Sequence, residues 1–292
     1  MSMIFDALID SLIDTAKLIP FLFVTYLLME ALEHHAGQKT SRILADMGKA
    51  GPLFGGLFGI VPQCGFSASA ASLYSGGLIS VGTMLAVFLS TSDEMLPIFI
   101  SEQVALKRIL LILLIKAVIG IISGLSIDAV IRHTRFRNDP KKNIHDLCTE
   151  EHADYKDSEK GGIIRAALTH TLHIVIFIFM IAFILTILVD ALGAKRIAGF
   201  LNAIPVLSVF LAALIGLIPN CGASVVLTQL YLSGMMSFGA MIAGLLVGAG
   251  VGLLVLFRTN HHHPKENIRI TLLLYLVGVF WGILIELSKI SV

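Results

Sequence analysis

Hydrophobic residues run along most of the chain in long stretches, and short polar intervals separate these stretches. About 20 consecutive apolar residues cross the hydrocarbon core of a bilayer as a helix, so the pattern predicts an all-α membrane protein. We expect ten helical segments, five in each half of the chain. They lie at about residues 8–33, 51–61, 66–74, 80–100 and 106–131, and again at about residues 163–189, 197–218, 223–232, 237–257 and 268–287.

Two of the apolar stretches are interrupted by the same short motif. Pro62-Gln63-Cys64-Gly65 interrupts the first and Pro219-Asn220-Cys221-Gly222 interrupts the second. The short pieces 51–61, 66–74 and 223–232 are too short to cross about 30 Å of hydrocarbon, so each motif predicts a broken-helix hairpin. Backbone that is not paired within a helix is tolerated at membrane depth only where it is buried in protein or lines a cavity. The motifs therefore indicate a site.

The two halves of the chain are related by a residue-number offset of 157 (219 − 62). Beyond the motif, the offset maps Tyr74 onto Tyr231 without a gap, and an offset of 158 maps Asp128 onto Glu286. Since each repeat has five segments, the second repeat starts on the opposite face of the membrane. We expect two inverted repeats, as in many secondary transporters, whose hairpin tips meet near the bilayer midplane.

One long polar interval separates the repeats. Residues 132–162 have mixed charge and no apolar periodicity, which is typical of a linker. We therefore divide the chain into a first transmembrane repeat (1–131), a polar linker (132–162) and a second, inverted transmembrane repeat (163–292).

The composition agrees with a membrane protein, since 56% of the residues are hydrophobic and 14% are charged, against about 25% charged in soluble domains. The formal net charge of +1 argues against a nucleic-acid partner. Most Lys and Arg residues of the intervals fall on one face of the predicted topology. The positive-inside rule then places the linker in the cytoplasm and both termini outside the inner membrane.

Glycines four residues apart recur in the apolar segments. Such spacing predicts close helix packing, because a residue without a side chain lets two backbones approach. The series are Gly55/Gly59, Gly120/Gly124 and Gly244/Gly248/Gly252. We assign them a structural role only.

The hairpin tips are the first candidate site for a transported substrate. Helix ends leave free carbonyl groups that attract cations and free amides that attract anions. Thiol, amide and hydroxyl groups add to them, and the candidate substrate-binding residues are Gln63, Cys64, Gly65, Ser67, Asn220, Cys221, Gly222 and Ser224. Two thiols favour a soft ion, so Cys64 and Cys221 are candidate metal ligands. The alternative is that Pro and Gly kink a packed helix and the cysteines fill small volumes.

Two acidic residues in the fourth segment form a second candidate metal site. Asp93 and Glu94 follow three hydroxyl residues in the run Ser-Thr-Ser-Asp-Glu. Ionisable residues inside a span cost about 2.5–3.5 kcal/mol each and mark functional sites. Carboxylate and hydroxyl oxygens suit manganese or another divalent cation, or protons. A location among the headgroups is the alternative, and the corresponding residues 247–251 carry no polar side chain.

Lys116 stands alone in an apolar helix, and Ser92 precedes the two acidic residues. The lysine is a candidate counter-charge for Asp93 or Glu94, or an internal counter-charge. It is also long enough to extend its ammonium to the membrane surface. We take Lys116 and Ser92 as candidate coupling residues.

All ten histidines fall on the cytoplasmic side of this topology. Helical spacing places three potential ligands on one face of the linker, and a second group forms a tract near the end of the chain. These residues are His145, Cys148 and His152, and His261, His262 and His263. They are weak signals for a site that collects metal from the cytoplasm, and the alternative is ordinary solvated loop histidines.

The motifs PQCGFS, PNCGAS and STSDE, together with the layout of five plus five segments, resemble a known family over most of the chain. The sequence is similar to ten-span heavy-metal and arsenic exporters, relatives of the ArsP-type permeases, some of which are labelled manganese transporters. The resemblance implies a secondary transporter that exports a metal or metalloid ion from the cytoplasm. It leaves the identity of the ion open.

We therefore expect a permease with alternating access, not an enzyme, and no cofactor. The chain has no Gly-x₄-Gly-Lys-Ser/Thr motif for ATP, so an ion gradient is the expected energy source and protons are the candidate counter-ion. The acidic pair favours a divalent metal such as manganese over arsenite, which prefers three thiols where the membrane part offers two. The partners are then the ion and the lipid bilayer, and the sequence is compatible with a homo-oligomer.

Two alternatives stay open. The first is a permease for a small organic or inorganic anion that binds the amide ends of the hairpin helices near Gly65 and Gly222. The second is a membrane thiol oxidoreductase that uses Cys64 and Cys221 as a redox pair. The chain has no Cys-x-x-Cys motif, which makes this second alternative remote.

Overall fold

The computed structural model describes residues 50–60, 64–92, 95–133, 205–219 and 221–288, together with helical positions scattered through 8–27 and 164–187. The described part of the chain is all-helical, which confirms the predicted all-α class. Every described position within 8–27 and 164–187 is helical, in agreement with the first and sixth predicted segments. The predicted linker lies outside the described residues, apart from its first two residues, which continue a helix.

Ten helices are continuous in the described ranges. They are α1 (Gly51–Gly59), α2 (Cys64–Ser75), α3 (Val81–Ser90), α4 (Met95–Ser101), α5 (Leu106–His133), α6 (Pro205–Gly216), α7 (Cys221–Leu232), α8 (Phe238–Val247), α9 (Gly252–Thr259) and α10 (Pro264–Leu287). Within the described residues, three stretches are long and apolar enough to cross a membrane, namely Leu106–His133, Phe238–Thr259, which comprises α8 and α9, and Pro264–Leu287.

The helix boundaries repeat at the offset of 157 (221 − 64) that relates the two halves of the sequence. Helix α7 has the bounds of α2 shifted by that offset, and α8 has the bounds of α3. The left-handed glycines that follow α2 and α7 also correspond, with φ of 73° at Gly77 and 71° at Gly234. Ser80 and Ser237 each cap the next helix by accepting a hydrogen bond from the backbone amide three residues later. The repeat is therefore visible in the backbone.

Equivalent helices also pack in the same way. Helix α3 packs between α1 and α5, and α8 packs between α6 and α10. A Cβ on Gly124 would lie 2.5 Å from the carbonyl oxygen of Gly82, and a Cβ on Gly282 would lie 3.0 Å from that of Gly239. The helices thus meet at backbone distance, as the predicted packing role of Gly120/Gly124 requires.

The two halves interlock in the middle of the molecule. Helix α2 of the first half packs on α9 of the second half, and α7 of the second half packs on α4 of the first. Gly252 shows how close this contact is, because a Cβ there would lie 2.9 Å from Cβ of Ser67. Helices α3 and α8, one from each half, also contact each other.

The fourth segment of each half is interrupted, so the prediction of continuous helices at 80–100 and 237–257 was wrong. Helix α3 ends at Ser90, Thr91 takes an extended conformation with φ −57° and ψ 132°, and α4 begins only at Met95. In the second half α8 ends at Val247 and α9 begins at Gly252, and Gly250 between them has a φ of 53°. As the sequence shows, the interruption in the first half carries polar side chains and the one in the second half carries none. The helix is nevertheless interrupted in both halves.

Helices α5 and α10 each leave an apolar stripe exposed along one side. On α5 the exposed residues follow at intervals of three or four, and α10 repeats the pattern. The two stripes are Leu106, Leu110, Leu114, Val118, Ile122 and Leu125, and Ile268, Leu272, Leu276, Phe280, Leu284 and Leu287. Such continuous apolar surface is unusual for a protein in water and suits contact with lipid.

Candidate functional site

A small cavity lies where the two interruptions of the fourth segments meet. Its volume is about 10 Å³, which holds about one water molecule. Both halves contribute to its wall, and the lining residues are Thr91, Ser92, Met95, Lys116, Gly216, Ala223, Ser224, Gly244, Leu245, Gly248 and Gly250. The cavity therefore brings together the breaks of both repeats and the first turn of α7.

Lys116 reaches this cavity from the middle of α5. Its side chain is fully buried, so the ammonium does not extend to the membrane surface. The Nζ atom donates hydrogen bonds to the carbonyl oxygens of Thr91 and Leu245, the latter at 2.9 Å. One acceptor belongs to the first half of the chain and the other to the second, so the lysine joins the two interrupted segments.

The carbonyl group of Leu245 is available to Lys116 because α8 ends irregularly. The amide of Gly248 still bonds to the carbonyl of Gly244. The amide of Ala249, which would bond to Leu245 in a continued helix, instead bonds to the carbonyl of Val247 at 2.7 Å. The end of a helix carries partial negative charge, which favours a cation at this position.

The hydroxyl residues before the acidic pair lie in the interior of the protein. Ser90, Thr91 and Ser92 are all buried. The hydroxyl of Thr91 donates to the carbonyl of Val87 at 2.7 Å, and the hydroxyl of Ser92 donates to the carbonyl of Ile60 at 3.2 Å. This last bond ties the interruption to the end of the first hairpin arm.

Helices α2 and α7 contact different parts of the protein interior. Helix α2 begins at Cys64, and its first turn packs against α9 through the fully buried Ser67. Helix α7 begins at Cys221, and its first turn lines the cavity through Ala223 and Ser224. Of the predicted residues, the cavity thus contains Ser92, Lys116 and Ser224, while Ser67 lies outside its wall.

Several predicted site residues lie outside the described part of the chain. They are Gln63, Asn220, Asp93, Glu94, His145, Cys148 and His152, and for Cys64 and Cys221 only the backbone is described. Gly65 is buried and Gly222 is half-buried in the first turns of α2 and α7.

The histidine tract lies in the turn between α9 and α10. His261, His262 and His263 are exposed, and the rings of the first two are 4.0 Å apart between centroids. His261 also contacts the carbonyl oxygen of Arg258 through Nδ1 at 3.1 Å. Among the described residues no three His, Cys, Asp or Glu side chains form a group that could hold a metal ion.

The sequence analysis missed the glycines and backbone groups that shape the cavity. Gly248 was assigned to a packing series, and Gly250 was not considered. The carbonyl group of Leu245 has no sequence signature. A usable signal was present, since Gly248, Gly250 and Gly252 alternate within an apolar run, and clustered glycines favour a break.

Comparison with curated proteins finds no match, and neither does comparison with solved structures. The model of one protein family, described as "Putative, 10TM heavy-metal exporter", matches residues 1–195 and 172–290. These matches cover nearly the whole chain and agree with the resemblance that its motifs indicate. The chain belongs to this family of ten-transmembrane heavy-metal exporters, ArsP_2.

Proposed function

We propose that the protein is a secondary-active permease that exports a metal or metalloid ion from the cytoplasm by alternating access. The observation that carries the proposal is the cavity between the interrupted fourth segments, which contains a buried lysine and three hydroxyl residues inside an apolar helical protein. In a membrane, interrupted backbone is tolerated where it lines a cavity, and such cavities are where transporters bind ions.

The repeated architecture supports alternating access. Two units that share the bounds of two helices and the same order of packing can exchange roles when one end of the site opens and the other closes. We propose that the units are inverted in the membrane and that the hairpin tips, with Cys64 and Cys221, approach each other near its midplane. The packing of α2 on α9 and of α7 on α4 supports this arrangement, because each hairpin helix contacts the other half.

We assign the ion-binding groups on chemical grounds. Asp93 and Glu94 directly follow Ser92 of the cavity wall, and we place their carboxylates at the site. Carboxylate and hydroxyl oxygens favour a hard divalent cation such as manganese, with protons as the counter-ion. Soft ions, including arsenite, would instead use the thiols at the hairpin tips together with Gln63 and Asn220.

Metal flux into inverted vesicles or proteoliposomes tests the proposal. Purified protein is assayed with manganese, zinc, copper(I) and arsenite, and then again as the variants Asp93→Asn and Glu94→Gln. We expect at least about a tenfold loss of divalent-metal flux in each variant. The matched control is Glu102→Gln, since Glu102 is exposed at the end of α4.

Two results would contradict parts of this proposal. Normal flux in both acidic variants would remove the carboxylates from the mechanism. Absence of flux for all four ions in the wild-type protein, reconstituted in both orientations, would reject metal export itself.

The cavity also favours a second candidate function, a permease for a small anion. Lys116 carries positive charge into the cavity, and the first turn of α7, with Ser224, presents the positive end of a helix to the same space. An anionic form of a metal or metalloid would also bind such groups. Competition of metal flux by oxyanions, with no competition by divalent cations, would favour this function.

A further inference from the structure

We infer that the carbonyl groups of Thr91 and Leu245 form a cation site that the ammonium of Lys116 fills from within the protein. Lys116 then takes the place of a small monovalent cation that the chain would otherwise have to bind there. The contacts of Lys116 carry the inference that these carbonyl groups bind a cation. The effect that we expect on metal transport rests on the proposed function.

The geometry is that of a carbonyl cation site. Thr91 directly follows the end of α3, and Leu245 lies in the last turn of α8. The Nζ atom of Lys116 donates to both carbonyl oxygens. Each helix end contributes partial negative charge, so two such ends attract a positive charge placed between them.

Burial makes the cation necessary for this arrangement. Lys116 is fully buried, and an ammonium is costly to remove from water unless its surroundings compensate it. The two helix ends, conversely, would face each other with unsatisfied carbonyl groups if the ammonium were absent. Ammonium and carbonyl groups therefore stabilise one another, as ions and backbone carbonyls do in cation-selective sites.

The site also joins the two halves of the chain. Lys116 and Thr91 belong to the first repeat and Leu245 to the second, so the ammonium holds the two interruptions together. In a transporter that lacked the lysine, a sodium or potassium ion would have to perform this role. We therefore expect metal flux by the wild-type protein to be independent of sodium and potassium.

Removal of the lysine side chain tests the binding claim without any transport assay. The variant Lys116→Ala is purified in detergent, and its thermal unfolding is followed with methylammonium, potassium or choline chloride at equal ionic strength. We expect methylammonium or potassium to raise the Tm of the variant by about 2–4 °C at concentrations several-fold above the Kd, with no such rise for the wild type. Choline is too large for the site and should have no effect.

Lys107→Ala is the matched control, because Lys107 is exposed in the first turn of the same helix. It should have the Tm of the wild type and show no ion-specific shift. If Lys116→Ala does not fold, the same measurement is made on Lys116→Ser, which also leaves the space of the lysine side chain open. A folded Lys116→Ala or Lys116→Ser variant whose Tm is equal in all three salts overturns the inference. A Lys116→Met variant, which fills that space without a charge, overturns it if it is as stable as the wild type.

A transport measurement separates the role of Lys116 from the proposed function. Wild-type flux is measured with sodium and potassium replaced by choline, and Lys116→Ala is measured with and without methylammonium. We expect unchanged wild-type flux and at least about a tenfold gain for the variant on adding methylammonium. Sodium-dependent wild-type flux would reject the role in transport, whereas absence of all metal flux beside a normal Tm rescue would reject only the proposed function.

Discussion

The hydroxyl of Tyr74 donates a hydrogen bond to the carboxylate of Glu266, which lies 192 residues later in the chain. Tyr74 lies in the last turn of α2, and Glu266 lies in the first turn of α10. Beside this bond, the hydroxyls of Ser75 and Thr259 are 2.7 Å apart. Both bonds connect the first half of the chain to the second. In the described state they hold the halves together at this end of the molecule.

The counterpart of this pair at the offset between the two halves has different chemistry. Tyr231, the counterpart of Tyr74, lies within electrostatic range of Arg108, in the first turn of α5. Arg108 corresponds to Glu266 at the offset of 158 (266 − 108). An acid thus faces one tyrosine and a base faces the other.

A double-mutant cycle tests the contact between Tyr74 and Glu266. We expect Tyr74→Phe to lower the free energy of unfolding in detergent by about 1–3 kcal/mol, because the buried hydroxyl loses its charged partner. Glu266→Gln should have a smaller effect, and the two changes together should be non-additive by about 0.5–3 kcal/mol. The control is Tyr275→Phe, whose exposed hydroxyl bonds to a backbone carbonyl at 3.3 Å. Additive effects of the two variants would show that the contact is not energetically coupled.

Asp128 stabilises the start of α3, and its substitution gives a second prediction. Its carboxylate accepts hydrogen bonds from the amide of Gly82 at 2.9 Å and from the hydroxyl of Ser80 at 2.6 Å. We expect Asp128→Ala to lower the free energy of unfolding by about 1–3 kcal/mol, and Asp128→Asn to cost less because it keeps one acceptor. The measurement is chemical unfolding in detergent. The control is Ser126→Ala on the exposed face of α5, and an Asp128→Ala variant no weaker than this control would contradict the prediction.

The helices and the repeat could be predicted from the sequence because lipid imposes simple rules. Long apolar stretches in a bilayer must be helical, because an unpaired backbone group is costly there. The offset of 157 (219 − 62) likewise predicts the bounds of α7 from those of α2. The interruptions of the fourth segments were not predicted, since Thr91 and Ser92 are compatible with a membrane helix and Gly248 and Gly252 were assigned to a packing series.

Three residues selected from the sequence line the cavity, whereas the backbone groups that shape it were missed. Lys116 was selected because a charge in an apolar segment is costly, Ser92 because it precedes the acidic pair, and Ser224 because it follows the second Pro-x-Cys-Gly motif; all three line the cavity. Leu245 could not be selected in this way. Its contribution is a carbonyl group that every residue carries, and only the irregular end of α8 makes that group available.

Gly216 provides a prediction about the packing of the cavity wall. A Cβ at this position would lie 2.2 Å from the carbonyl oxygen of Gly244, which is backbone and cannot move aside cheaply. We expect Gly216→Ala to destabilise the protein by about 1–3 kcal/mol through overpacking and to lower metal flux. The control is Gly234→Asn, where the backbone has a φ of +71° and nothing lies within 4 Å of a Cβ. Asparagine tolerates that conformation, so this variant should be close to wild type. Equal stability of the two variants would show that the α6–α8 contact can relax.

Substitution of the thiols should lower the flux of soft ions more than the flux of hard ions. Soft ions such as copper(I) and zinc prefer thiolate ligands, whereas manganese prefers oxygen. If Cys64 and Cys221 bind the ion at the hairpin tips, Cys64→Ser and Cys221→Ser should each lower the flux of copper(I) and zinc by at least about tenfold and change manganese flux little. The matched control is Cys148→Ser, which removes the remaining thiol of the chain. A loss of arsenite flux in all three variants would indicate that Cys148 supplies a third thiol. An equal loss of manganese and copper(I) flux in Cys64→Ser and Cys221→Ser would instead show that the cysteines serve packing, because packing defects do not discriminate between ions.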